Sequence, residues 1–254
     1  MHSVLETPLP VCTRPDPYAV SAEFYDVLQA DEDDRRVRHL YGPAVGRARV
    51  GVLDIGAGTG RVTLLGLAST RVGVHAVEPA RAMRTPLMSR LAALPAPQRA
   101  RVSVHPGTLG TAGLRGVADV AVCHNTLACL APGDRRALWP AVGAALVPGG
   151  TLLMQLPPAR VPLRESVREL PARRMGEYEY GGRMVTSPDA DRIRTRFDYW
   201  VRGRRATTRH HTETFWMWPA TRTDLLADLR SHGFDASPAR HDPAVLAVVR
   251  RHRG

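Results

Sequence analysis

Hydrophobic positions recur at helical spacing near the start of the chain. Between Tyr18 and about Val45, the residues Phe24, Val27, Leu28, Val37 and Leu40 lie at intervals that suit one or two amphipathic helices. Short apolar runs then alternate with helical stretches, at 50–54, 72–77, 102–105, 117–123 and 151–156. A helix around 135–146 precedes the last of these runs, and Pro148-Gly149-Gly150 is expected to separate the two as a turn. Strands alternating with helices predict an α/β fold with a mostly parallel sheet and helices on both faces. After Pro157-Pro158 the pattern changes. Residues 178–185, 193–201 and 207–218 are rich in aromatic and β-branched side chains with partial period-two alternation, which predicts antiparallel strands inserted after the fifth strand. A last helix at 222–232 ends at Gly233, and 244–249 makes a late buried strand. The expected division is a flexible arm at 1–17 carrying Pro8, Pro10, Pro15 and Pro17, a core at 18–157, an insertion at 158–218, and a C-terminal segment at 219–254 that completes the core sheet.

Composition narrows the function classes. The 254 residues suffice for one substantial core with an elaboration. No run approaches the ~18 apolar residues that a membrane helix needs, and the N-terminus lacks a secretory pattern, so a soluble cytoplasmic protein without a membrane partner is expected. The net charge of +11 would ordinarily suggest nucleic acid. All 35 basic residues, however, are arginine, and many are scattered among Ala, Gly, Val and Pro, so the excess reads as compositional. Cys12, Cys123 and Cys129 are odd in number and never spaced as Cys-x-x-Cys, which argues against a disulfide framework and a structural zinc site.

The most informative segment is Asp54-Ile55-Gly56-Ala57-Gly58-Thr59-Gly60, which follows an apolar strand and opens a helix. Glycines there tolerate positive φ and let a ligand approach the backbone. A dinucleotide fingerprint would carry glycine or alanine where Arg61 stands. Eighteen residues beyond Gly60, at the end of the next strand, Glu78 can accept hydrogen bonds from both hydroxyls of a ribose. Here the sequence resembles the class I S-adenosylmethionine-dependent methyltransferases, recognised by an acid-x-G-x-G-x-G loop and an acid after the second strand. The resemblance runs from about Tyr18 to Leu156 and includes Leu130 and the Leu-x-Pro-Gly-Gly at 146–150. It implies a Rossmann-like seven-stranded sheet and S-adenosylmethionine as cofactor, released as S-adenosylhomocysteine. By the same resemblance Gly56, Gly58 and Gly60 face the methionine part of the cofactor and Asp54 lies near its amino group. Glu78 then holds the ribose, Pro79 and Met83 lie by the adenine, and Cys123 and His124 line the cofactor after the fourth strand. Tyr25 resembles a lid tyrosine of small-molecule members. Where such enzymes often carry Gly-Asp after the third strand, this chain has Gly107-Thr108, so Thr108 would have to serve the adenine.

Eight of the chain's 14 aromatic residues fall between Tyr178 and Trp218. Of these, Tyr178, Tyr180, Tyr199, Trp216 and Trp218 are expected to line an acceptor pocket, because aromatic faces attract flat or cationic guests. His124, His210, His211 and Glu213 are candidates for the base that takes the acceptor's proton. Adjacent histidines on a strand point to opposite faces and cannot share a metal, so none is expected. The segment 123–126 is unlike the Asn-Pro-Pro-aromatic segment of DNA amino-methylating enzymes, and the paired glutamates of protein arginine methyltransferases are absent. The expectation is methyl transfer to a small nitrogen-containing natural product, at an amine nitrogen or on an indole, by a monomer or homodimer. A nucleic-acid methyltransferase and a non-catalytic cofactor-binding subunit are the alternatives.

Overall fold

β1 (Gly51–Ile55) is buried along its whole length, as a continuous apolar run must be when helices cover both faces of its sheet. The structure is a computed structural model that describes residues 16–204, 207–239 and 242–252. The arm expected at 1–17 lies outside these residues except for Asp16 and Pro17. α1 (Ser21–Val45) precedes β1, and the chain continues through α2 (Arg61–Ser69), β2 (Gly73–Val77), α3 (Arg81–Ala92), α4 (Ala96–Arg99), β3 (Val102–His105) and α5 (Leu109–Ala112). β4 (Ala118–Cys123), a 3₁₀ turn at Leu127–Cys129, α6 (Pro132–Ala145) and β5 (Leu146–Gln155) follow. β6 (Ser166–Met175), β7 (Tyr178–Asp189), β8 (Arg192–Arg202) and β9 (Thr207–Met217) come next, and α7 (Arg222–Ser231), β10 (Phe234–Ala236) and β11 (Val245–Arg250) complete the order.

The main sheet has seven strands in the order β10-β11-β5-β4-β1-β2-β3. Its core is parallel, and only β11 and β10 run antiparallel to their neighbours. One apolar cluster packs α5, α6 and α7 on one face through Leu109, Trp139, Val142, Leu225 and Leu229. A second packs α1, α2 and α3 on the other through Val37, Tyr41, Val62, Leu67 and Leu87. The strand order reverses between β1 and β4, so a crevice opens at their carboxyl ends, where ligands of open α/β sheets bind. Both informative segments of the sequence, the glycine loop after β1 and His124–Thr126 after β4, emerge at that crevice. No helix among the described residues is long and apolar enough to cross a membrane.

β6 to β9 form a separate antiparallel sheet in sequential order. α1 joins it to the main sheet. Phe24 and Leu28 pack with Leu170, Tyr199 and Val201 in a third cluster. The Phe24 and Tyr199 rings stack with centroids 4.5 Å apart. The start of α1 is also anchored through polar groups, since the Ser21 N–H donates to Glu213 Oε2 at 2.7 Å and the Tyr199 hydroxyl donates to Ser21 Oγ at 3.1 Å.

Of the one or two helices expected before β1, the structure has one, residues 21–45, with Pro43 accommodated in its last turn. Two other local expectations differ from the structure. Pro148-Gly149-Gly150 does not precede the fifth strand but lies within its span as an irregularity: Leu146 pairs with Ala118, and the register resumes at Thr151 opposite Val120. The insertion also has a fourth strand, β6, which the alternation did not reveal. It is an edge strand with Leu170 its one buried residue, and Pro171 sits where its register to β7 shifts.

If Phe24 is the joint between the two sheets, Phe24→Ala should destabilise the protein by about 3–5 kcal/mol, the range for truncating a buried aromatic. Urea denaturation of the purified variant measures this directly.

Candidate active site

The glycine loop takes its shape from three left-handed residues, Gly56 (φ +70), Gly58 (φ +56) and Gly60 (φ +95). Two have steric reasons as well. A Cβ on Gly56 would run into the Thr126 side chain, and one on Gly60 into Leu87. Gly58 faces more open space, its nearest neighbour being Met83 Cε. The Gly56 and Ala57 N–H groups both donate to the Val77 carbonyl, which binds the loop to the end of β2.

Glu78 stands directly beyond. Its Oε2 accepts from the Gly58 N–H at 2.7 Å and its Oε1 from the Ala80 N–H at 2.8 Å. Each oxygen therefore spends one lone pair on the loop and keeps another. Burial pushes its carboxyl above the ordinary range, against the pull of those two N–H groups. Asp54, at the end of β1, is fully enclosed and accepts from Thr63 Oγ1 at 2.6 Å. Burial pushes its carboxyl up to about 7, offset in part by the Thr63 hydrogen bonds and reinforced by the nearby Glu78 charge.

A cavity of about 790 Å³ runs from this loop to the second sheet. Gly56, Gly58, Asp54, Glu78, Pro79 and Met83 line one end. Thr195, Phe197, Tyr199, Phe215 and Met217 form the far wall, and Gln29, Glu32 and Arg36 of α1 stand along one side. Between the two ends lies a polar cluster centred on Asp33. The Tyr25 hydroxyl donates to Asp33 Oδ2 at 3.0 Å, and Arg61 Nε is 3.3 Å from the same oxygen. His124 Nε2 lies 3.4 Å from Asp33 Oδ1, while its Nδ1 is 3.2 Å from the Tyr41 hydroxyl. Burial alone would raise the Asp33 carboxyl, but the His124 hydrogen bond and charge and the Arg61 guanidinium hold it below the usual range. Burial pushes the Tyr25 phenol well up, so it remains a donor.

Of the expected site residues, Tyr25, Asp54, Gly56, Gly58, Glu78, Pro79, Met83, His124 and Tyr199 line this cavity. The others do not, each for a local reason. Gly60 begins α2 behind the loop. Thr108 caps α5 by accepting from the Thr111 N–H. Cys123 is enclosed within β4, where burial pushes its thiol up to about 12. His211 and Glu213 do face α1, in register with Tyr199 and Phe197. The start of that helix covers them, with Glu213 holding the Ser21 N–H and His211 against the Phe24 ring. His210 and Trp216 fall on the opposite face by alternation, where Trp216 Nε1 donates to Asp189 and the Arg192 guanidinium stacks on its ring. Tyr178 is exposed at the start of β7, and Tyr180 packs on Phe24. The Trp218 backbone is tied to the Ala128 carbonyl.

The sequence reading missed Asp33 and Tyr18, which stacks on Phe215 at 4.7 Å, and it gave Asn125 and Thr126, noted after the fourth strand, no individual role. A signal existed for Asp33. Positions 33, 37, 41 and 45 form the buried stripe of α1, so a carboxylate occupies a core position there.

Comparison with known proteins agrees with this geometry. Residues 53–152 match the family model described as a methyltransferase domain. Curated protein sequences gave no match. Among solved structures, the sugar N-methyltransferase KedS8 from Streptoalloteichus sp is similar over 99% of this chain and 100% of its own, at 19% identity and a TM-score of 0.67. The amino pentose methyltransferase CalS10 from Micromonospora echinaspora is similar over 98% and 100%, at 19% identity and 0.65. The CcbJ methyltransferase from Streptomyces caelestis is similar over 93% and 97%, at 21% identity and 0.71. Residues 53–152 thus match a methyltransferase domain, and the chain shares the fold of these methyltransferases over nearly its whole length.

Proposed function

We propose that the enzyme methylates an amine nitrogen of a small natural product, an amino sugar being the acceptor class that fits best. The observation that carries this reading is the Asp33–His124 pair, placed between a cofactor-sized cradle and an aromatic wall in one cavity. Residues 18–157 and 219–254 would hold the cofactor, and 158–218 the acceptor. Two structural relatives, a sugar N-methyltransferase and an amino pentose methyltransferase, support the acceptor class.

The cradle fits the cofactor's chemistry. Gly58 leaves room for close backbone approach, Glu78 keeps a free lone pair on each oxygen for the two ribose hydroxyls, and Asp54 is a carboxylate suited to an α-ammonium. When bound, S-adenosylmethionine supplies a methyl group already activated on a sulfonium. What remains for the protein is alignment, exclusion of water and handling of one proton. Asp33 attracts the cationic amine. Phe197, Tyr199 and Phe215 offer ring faces to its body. An ammonium has no lone pair to attack with, so a proton must first leave, and His124 Nε2 beside Asp33 is placed to receive it. The nitrogen so freed would be held by Asp33 and the ring faces against the end of the cavity where the cofactor would offer its methyl group.

The direct test is S-adenosylhomocysteine formation with a panel of aminopentosides and aminohexosides against their hydroxy analogues. Turnover confined to the amines is expected, and equal turnover of the hydroxy compounds would overturn the reading. Three further outcomes follow from the same geometry. Glu78→Ala should weaken S-adenosylhomocysteine binding by about 1.5–3 kcal/mol in titration calorimetry, because hydrogen bonds to a charged acceptor are lost. His124→Asn and Asp33→Asn should lower turnover by about 10²–10⁴ with cofactor affinity retained, as for loss of a general base. Asp54, with its carboxyl near 7, is neutral below that pH and cannot pair with an ammonium. Cofactor affinity should therefore fall about tenfold for each unit that pH drops below about 7, and Asp54→Asn should abolish this slope.

A further inference from the structure

We propose that Tyr41 is a positioning residue for the proton transfer, serving His124 in each of its protonation states so that Nε2 is free to take the acceptor's proton. The idea rests on the reading of His124 as base. Tyr41 is fully buried in the core stripe of α1, on the side of the imidazole away from Asp33. Its ring meets the imidazole edge-on, with centroids 5.5 Å apart, and its hydroxyl lies 3.2 Å from Nδ1. A phenol in this place differs from any purely donating or accepting group, because its oxygen can do both.

The consequence follows from counting lone pairs. With the neutral ring protonated on Nδ1, the Tyr41 oxygen accepts that N–H, and the Nε2 lone pair is left for the acceptor's ammonium N–H, since the Asp33 carboxylate has no proton to offer it. When Nε2 takes the proton, Nδ1–H remains held by Tyr41, and the new Nε2–H faces the Asp33 carboxylate. With the neutral ring protonated on Nε2 instead, the Tyr41 O–H turns and donates to Nδ1. With the acceptor bound, each state gives both ring nitrogens a partner, Nε2 accepting the ammonium N–H in the first and donating to Asp33 in the other two, so the imidazole can gain and lose a proton without paying for an orphaned group. Burial pushes the Tyr41 phenol well up, which keeps its proton in place throughout. The charged and titratable groups near this pair come from four elements: Tyr25, Asp33 and Arg36 on α1, Arg61 on α2, Asp54 on β1 and Cys123 on β4. Of these, Asp33 hydrogen-bonds the ring, opposite Tyr41.

Tyr41→Phe keeps the packing and removes the hydroxyl. The imidazolium then buries an Nδ1–H with no acceptor, whereas the neutral ring can retreat to the Nε2–H tautomer and bare only a lone pair. The charged form suffers more. In labelled protein saturated with S-adenosylhomocysteine, the midpoint of the His124 titration followed by NMR should therefore drop by about one pH unit relative to the unsubstituted enzyme. The acid limb of turnover with the aminopentoside should move by the same amount. A folded Tyr41→Phe protein with an unmoved His124 midpoint would overturn the proposal, since a merely structural tyrosine changes stability alone. Should this variant fail to fold, the unsubstituted protein still decides. A slowly exchanging Tyr41 hydroxyl proton with a cross-peak to the His124 ring is expected, and its absence counts against the assignment. Full turnover in His124→Asn would instead refute the base reading while leaving the Tyr41 measurement intact, so the two ideas fail separately.

Discussion

A buried guanidinium sets the position of α1, and most of the site depends on it. Arg61, the first residue of α2 after the glycine loop, has a side chain only 5% exposed. It reaches Asp26 at 2.7 Å, Asp33 at 3.3 Å and Asp34 at 2.7 Å, and donates to the Ala30 carbonyl. A charge so enclosed is tolerable only when paired and hydrogen-bonded, and removing one partner of such a pair typically costs about 3–5 kcal/mol. Arg90 of α3 adds a second clamp, reaching Asp26 at 2.5 Å and the Thr59 carbonyl at 2.9 Å. Together the two arginines fix the helix to the glycine loop. This also explains part of the arginine excess, since planar guanidinium forks suit several carboxylates at once.

Once α1 is held there, one helix supplies groups to every part of the cavity. Asp33 and Tyr41 flank His124 and Tyr25 holds Asp33, while Phe24 and Leu28 carry the second sheet. The polar and apolar faces of α1 therefore act jointly, because anchoring the sheet and orienting the Asp33–His124 pair are consequences of a single placement. Glu78 has a comparable double role. The same carboxylate that lines the cavity also holds the N–H groups of Gly58 and Ala80, so the loop's shape and the charge at that end of the cavity share one support. The Asp33–His124 pair and the glycine loop are thus built from different elements but meet at the carboxyl edge of β1 and β4.

The second sheet contributes one wall and shields the other groups that its sequence advertised. Thr195, Phe197 and Tyr199 face the cavity by strand alternation, and Phe215 joins them from β9. Farther along the same face, His211 and Glu213 lie under the start of α1 and act in anchoring it. The aromatic density of this region divides into cavity wall, helix contact and an outer face where tryptophans pair with arginines.

The sequence by itself determined the parallel core, the crevice and the glycine loop, because these depend on local rules. Continuous apolar runs must be buried on both faces, glycines take up left-handed turns, and an acid after the second strand lies within reach of the loop it follows. It also located the antiparallel insertion through alternation, except for β6, whose exposed edge carries no apolar signal. Only the tertiary structure decided which titratable groups share the cavity. Whether His124, His211 or Glu213 faces a ligand depends on what packs over it, and that was set by the placement of α1 through ion pairs between residues some 27 to 35 positions apart. Asp33 shows the limit most clearly. In sequence it is one acid in a run of charged residues on a helix, and it becomes a partner of His124, 91 positions away, only when the helix is laid across the crevice.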